Sequence, residues 1–276
     1  MRKVKRGAVA YAERVLVEGR GRPLILLHGT MGPRVWDNML AGLYEHFQVF
    51  VPTLPGFKPE DGPVVYSDRL CVEFVEGLRI WAGVQTWCVA GLSLGGRVAI
   101  EYALAHRDRV SHLVVIDPLG MAQTTPFFAL PVVRDLVRPL IEQAFAHSWS
   151  WTATLPREVV DRKGPAARWA VSVGESVVAD PVVRANVVGM LLRALAPKPR
   201  WRRLLPSLTV PTLVLSGSDD PTTPVENAYR LTSLLPDSRL VVLDGYRHCG
   251  VLEYPEFFTR HIIDFVAGPW RKPAVQ

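Results

Sequence analysis

Cysteine is scarce in this chain: Cys71, Cys88 and Cys249 are the three among 276 residues. Their number is odd and none are spaced as C-x-x-C, which argues against a disulfide framework and against a structural zinc site. A reducing compartment, the cytoplasm, is the expected location. Long charge-free apolar runs are also missing, so no segment reads as a bilayer span and no membrane partner is expected. The basic start of the chain lacks the unbroken apolar stretch and small-residue cleavage site of a signal peptide. Internal repeats and low-complexity tracts are absent as well, which excludes solenoid architectures.

Acidic residues are outnumbered 26 to 32, leaving a formal net charge of +6. The dense basic groups are Arg2, Lys3, Lys5 and Arg6, then Lys198, Arg200, Arg202 and Arg203. Neither lies in a recognisable nucleic-acid module, so both read as solvated surface and no nucleic-acid partner is expected. With 49% hydrophobic and 21% charged residues, the composition is that of a globular protein with a sizeable core. A small-molecule substrate is the expected partner; a monomer and a homodimer fit equally.

Short apolar runs alternate with amphipathic stretches, the pattern of buried strands and crossover helices in a mainly parallel α/β sheet. Leu24 to Leu27, Val49 to Val51, Trp87 to Ala90 and Val110 to Ile116 are such runs, and the signal returns at Thr212 to Ser216 and Leu240 to Leu243. Each is rich in Val, Ile or Leu, as strands covered on both faces require. Helix-period spacing marks 35–46, 67–82 and 94–106, and a last helix from about Glu256 to Ala267. Val9 to Glu18 predicts an antiparallel hairpin at the sheet edge, and the tail from Pro269 to Gln276 reads as frayed. Between about Leu119 and Leu205 the rhythm breaks: prolines and helical patches rich in Trp, Met and Phe replace the strand signal. The expected division is a core of 1–118 and 206–276 with a helical cap insertion at 119–205.

The strongest local signal is Gly91-Leu92-Ser93-Leu94-Gly95-Gly96, a G-x-S-x-G element between the strand ending at Ala90 and the helix beginning near Leu94. Between a strand and a helix this pattern makes a tight, strained turn that lifts the serine hydroxyl above the sheet. The flanking glycines are needed because larger side chains would strike neighbouring backbone, and the helix N-terminus favours developing negative charge.

With this element the chain resembles the α/β-hydrolase family, and three further motifs stand in the family's order. His28-Gly29-Thr30-Met31-Gly32 is similar to its oxyanion loop. The resemblance implies that the backbone N–H groups of Thr30 and Leu94 receive the oxyanion, with His28 and Gly29 supporting the loop; a structural role for His28 is favoured over a catalytic one. Gly217-Ser218-Asp219-Asp220-Pro221-Thr222-Thr223-Pro224 is similar to its acid loop, and the spacing selects Asp220, with Asp219 and Asp117 as alternatives. Gly245-Tyr246-Arg247-His248-Cys249-Gly250 is similar to its histidine loop, with Cys249 as a buried filler.

Ser93, Asp220 and His248 are therefore the expected nucleophile, acid and general base, working without metal or organic cofactor. The implied reaction is hydrolysis of a carboxylic ester or related acyl bond through an acyl-enzyme. Met121, Trp149, Trp151 and Trp169, with Met190, Phe127 and Phe128, are candidates for an apolar substrate pocket, which predicts a mainly apolar substrate. Two alternatives remain open: a carbon–carbon hydrolase of dienone ring-cleavage products, and a non-hydrolytic tailoring or binding protein on the same fold.

Overall fold

The computed structural model describes residues 11–122, 130, 132, 133, 135–140 and 165–268. Among these, seven strands form one sheet: β1 (Val15–Gly19), β2 (Arg22–Leu27), β3 (Phe47–Pro52), β4 (Trp87–Leu92), β5 (Val110–Ile116), β6 (Thr212–Gly217) and β7 (Ser238–Leu243). Their spatial order is β1-β3-β2-β4-β5-β6-β7. All neighbours run parallel except β1, which pairs antiparallel with β3. The helices are α1 (Asp37–Tyr44), α2 (Asp68–Trp81), α3 (Leu94–Ala105), α4 (Pro165–Val178), α5 (Pro181–Ala194), α6 (Trp201–Leu204), α7 (Val225–Leu234), α8 (Gly250–Glu253) and α9 (Pro255–Ala267).

The apolar runs behave as strands buried on both faces, and successive residues serve opposite sides. Ile25, Leu27, Phe50, Val89 and Val115 join α2, α3 and α7 through Val75, Leu78, Val98, Tyr102 and Leu231. Leu24, Leu26, Val49, Ala90 and Leu215 join α1 and α9 through Met39, Leu43, Ile262 and Phe265. Helix starts follow local chemistry. Ser67 caps α2 by accepting the Leu70 N–H at 3.1 Å, and Asp180 caps α5 by accepting those of Val182 and Val183 ahead of which Pro181 needs no donor.

Of the hairpin predicted over Val9 to Glu18, the described residues Tyr11 to Arg14 form no strand. One strand, β1, lies at the expected edge, but its partner is β3, some thirty residues on. The preceding residues are claimed by other contacts: the Tyr11 ring packs against Phe74 and Trp81, and Arg14 binds Asp61 and the carbonyls of Thr53 and Leu54. The tail beyond Gly268 lies outside the described residues.

In the region 119–205 the described residues include helices α4, α5 and α6 and helical residues 132, 133 and 135–140, with no strand among them. α5 is fastened to the loop after β3 by Asn186, which donates to the carbonyls of Gly56 (3.2 Å) and Gly62 (2.9 Å) and accepts the Val64 N–H (2.8 Å). Its far end is held by Arg97 of α3, which donates to the carbonyls of Ala194 (2.5 Å) and Ala196 (2.9 Å) and pairs with Asp68.

The chain runs from β2 to β3 on one side, then crosses back to β4 on the other. The carboxyl ends of β2 and β4 thus flank the point where the winding reverses, the place where open α/β sheets leave a crevice. The loops carrying His28 and Ser93 leave the sheet there.

Candidate active site

Ser93 occupies the turn between β4 and α3 with φ of 55°, one of two described non-glycine residues at positive φ. Glycine surrounds it for steric reasons. A Cβ on Gly91 would collide with the carbonyl of Gly95, and one on Gly95 with the carbonyl of Leu27. The turn is locked by the Ser93 N–H donating to Ile116 O at 2.9 Å and by Ser93 O accepting from Arg97 N at 3.1 Å and Leu119 N at 3.2 Å. Such over-determination maintains the strained backbone that projects the hydroxyl.

His248 and Asp220 arrive from the loops after β7 and β6. The Ser93 Oγ lies 2.9 Å from His248 Nε2, and His248 Nδ1 lies 2.7 Å from Asp220 Oδ2. All three side chains are buried. The two loops lean on each other: Asp219 N–H donates to Tyr246 O at 2.9 Å, Gly245 N–H to Ser218 Oγ at 2.8 Å, and a Cβ on Gly217 would strike the Tyr246 carbonyl. Asp220 is saturated with donors. Its Oδ1 accepts the N–H groups of Thr222 (2.7 Å) and Thr223 (2.9 Å), and its Oδ2 accepts the Thr223 hydroxyl at 2.6 Å besides His248.

These contacts determine the charges. Burial raises the Asp220 carboxyl, but the facing His248 and the donors from His248 and Thr223 outweigh it and hold the group below its ordinary range. Burial lowers His248, and the charge and hydrogen bond of Asp220 more than reverse that, leaving its proton affinity raised. An anionic Asp220 therefore fixes the proton on Nδ1 and leaves Nε2 free to accept from Ser93.

His28 stands apart from this line. Its Nε2 accepts the Leu54 N–H at 3.0 Å, so its Nδ1 carries the proton and donates to Gly29 O at 2.7 Å. Burial pushes the imidazole down to about 4, against the bond to Gly29. The ring thus braces the loop as a neutral strut. Gly29 passes directly over Ser93: a Cβ there would sit 3.2 Å from Ser93 Cβ. Thr30 follows, half-buried, and Leu94, next to Ser93, opens α3 fully buried at a positive helix end.

Of the alternative acids, Asp219 is exposed and accepts from Ser218 Oγ at 2.9 Å. Asp117 is buried and near, with the donor atoms of Asp117, Asp220 and His248 within 4.8 Å of one another. Among the described residues this is the group close enough to hold a cation, and its His248 Nδ1 and Asp220 Oδ2 are already engaged with each other.

Residues 24–261 match the alpha/beta hydrolase family. The pimeloyl-[acyl-carrier protein] methyl ester esterase of Aromatoleum aromaticum is 32% identical over 258 residues, covering 89% of this chain and 98% of the relative. The chain belongs to the alpha/beta hydrolase family. A 2-hydroxy-6-oxo-6-(2'-aminophenyl)hexa-2,4-dienoic acid hydrolase of Metapseudomonas resinovorans is 25% identical, covering 92% of this chain and 87% of the relative. Among solved structures, a thermophilic esterase from Thermogutta terrifontis superposes with a TM-score of 0.76 at 25% identity, covering 92% of each chain.

The aromatic pocket expected from the sequence is not assembled by the described residues. Met121 lines a cavity of about 420 Å³ with Lys198, Trp201, Arg202 and Arg230, and none of Ser93, His248 or Asp220 lines it. Trp169 packs with the opposite-face cluster and lies under the Arg34 guanidinium, 4.4 Å from the ring centre. Met190 is core, pressed against Gly56. Helical Trp and Met are serving here as packing. Trp149, Trp151, Phe127 and Phe128 lie outside the described residues. Thr223, by contrast, was not singled out from the sequence; its signal was the spacing Asp220-x-x-Thr223, which lets one side chain meet its own loop's carboxylate.

Proposed function

We propose that the chain is a serine hydrolase that cleaves a carboxylic ester, or a related acyl bond, of a mainly apolar small molecule through an acyl-enzyme. The observation that carries this reading is the unbroken line from Ser93 Oγ through His248 to Asp220 at 2.9 and 2.7 Å. Ser93 attacks the carbonyl carbon while His248 Nε2 takes its proton. Asp220 balances the imidazolium. The N–H groups of Thr30 and Leu94 receive the oxyanion, where each donor contributes about 3 to 4 kcal/mol in the transition state. The leaving group departs with the proton on His248, and water then attacks the acyl-enzyme by the same route.

The region 119–205 is read as a cap over this site, with α5 fixed on the core by Asn186. No described helix is long and apolar enough to cross a membrane; the three cysteines are unpaired and buried, in keeping with a cytoplasmic enzyme. An ester is favoured over a dienone because the methyl ester esterase of Aromatoleum aromaticum is the more similar relative, at 32% against 25% identity. The dienoic acid hydrolase keeps carbon–carbon cleavage as the second reading.

A graded series of p-nitrophenyl esters from acetate to laurate tests the proposal. Turnover that favours the longer acyl chains and vanishes in Ser93→Ala is expected. Preference for short, strongly polar esters would reject the apolar substrate, and bleaching of a coloured dienone without ester turnover would install the second reading.

A further inference from the structure

Asp117 is more than a neighbour of the site. It follows β5 with φ of 44°, in the left-handed region that few non-glycine residues enter, and it is 2% exposed. Its Oδ1 accepts the Ser216 hydroxyl at 2.9 Å and the Gly217 N–H at 3.2 Å, both at the end of β6 where the loop bearing Asp220 departs. The ionisable groups facing it are Asp220 on that loop and His248 and the Cys249 thiol on the histidine loop. Burial pushes the thiol far above its ordinary range, so it stays neutral.

Two buried carboxyls thus face one imidazole, and while the imidazole is neutral they cannot both ionise cheaply. Asp220 has the larger set of donors, from Thr222, Thr223 and His248, and takes the charge. Asp117 has two donors on one oxygen. Burial and the facing Asp220 charge push its carboxyl up to about 8.

We propose that Asp117 is a positioning residue of the site, a second carboxyl that anchors the acid loop and competes with His248 for a single proton. Removing one proton from the pair leaves either neutral imidazole beside a protonated Asp117 or imidazolium beside an ionised one. The second form cannot act as base. Loss of the last proton frees His248 in every molecule, so activity rises in two coupled steps rather than one. The inference rests on His248 being the general base of the proposed reaction.

The test is kcat/KM against pH for the parent and Asp117→Asn, with the pH dependence of fluorophosphonate labelling at Ser93 measured in parallel. The amide keeps an acceptor oxygen for Ser216 and Gly217 and cannot ionise. Its acid limb is expected to fit one ionisation and to lie about half a unit lower, roughly threefold faster at a given pH on the limb. Superimposable limbs would overturn the inference, and so would an even loss of more than about a hundredfold at all pH, which would make Asp117 an obligate anion. If the variant fails to fold, the Nδ1–H resonance of His248 in the parent serves: two inflections support the inference and one overturns it. Absence of labelling in the parent would instead overturn the serine hydrolase reading.

Discussion

Replacing Thr223 by valine keeps the shape of the side chain and removes one hydroxyl. That hydroxyl donates to Asp220 Oδ2 at 2.6 Å, on the oxygen that also meets His248. A hydrogen bond to an ionised carboxylate contributes about 1.5–3 kcal/mol. If about half of this is felt when His248 becomes imidazolium, kcat falls roughly three- to twelvefold. KM changes little, because Thr223 reaches the substrate only through Asp220 and His248. Thr223→Ser restores the hydroxyl and is expected to recover most of the rate. A pH signature follows from the same bond. Asp220 is held below its ordinary range, so its stabilising contribution is present above an unfolded value of about 3.9 and is lost as pH falls through the folded value. With the hydroxyl gone the folded value rises, and thermal stability is lost at a higher pH than in the parent. Steady-state kinetics and melting curves between pH 3 and 7 measure both effects. Unchanged kcat in Thr223→Val, or a loss that Thr223→Ser does not restore, would refute the assignment of Thr223 as the hold on Asp220.

Asp220→Asn is expected to lower kcat by about 10⁴-fold with the fold intact, because an amide that donates to Nδ1 moves the imidazole proton to Nε2; stopped or steady-state ester hydrolysis measures it. Gly95→Ala places a methyl on the Leu27 carbonyl, and a loss of at least about 4 kcal/mol is expected, seen as insoluble or unfolded protein. Arg97→Ala leaves the carbonyls of Ala194 and Ala196 without its donors, while Asp68 keeps Lys198 and the Tyr66 hydroxyl, and a loss of about 1–3 kcal/mol is expected, read by chemical denaturation.

The sheet was legible because its strands are buried on both faces, so apolar runs at Leu24, Trp87 and Val110 stand out without alternation; β2 and β4 each reach two residues beyond their run, and β5 matches its run. β1 was misread as half of a hairpin. Its partner is set by Arg14 and Tyr11 reaching distant residues, which no local pattern records. That Ser93, His248 and Asp220 come together was legible from motif spacing, since the turns at Ser93 and Asp220 carry glycines that neighbouring backbone requires and the turn before His248 carries Gly245 at φ of 72°. What escaped depends on strand ends meeting in space. Asp117 and Ser216 are 99 residues apart, and Arg97 joins the carbonyls that end α5 across a similar span. Trp169 and Met190 read as pocket or core alike because apolar side chains pack cores and line pockets with the same chemistry.

The central claim is that Ser93 is an activated nucleophile. Reaction of the purified chain with a fluorophosphonate, followed by peptide mass spectrometry, tests it most directly. One label per chain, on Ser93 and lost in Ser93→Ala, is the predicted result; an unmodified Ser93 in folded protein would contradict it.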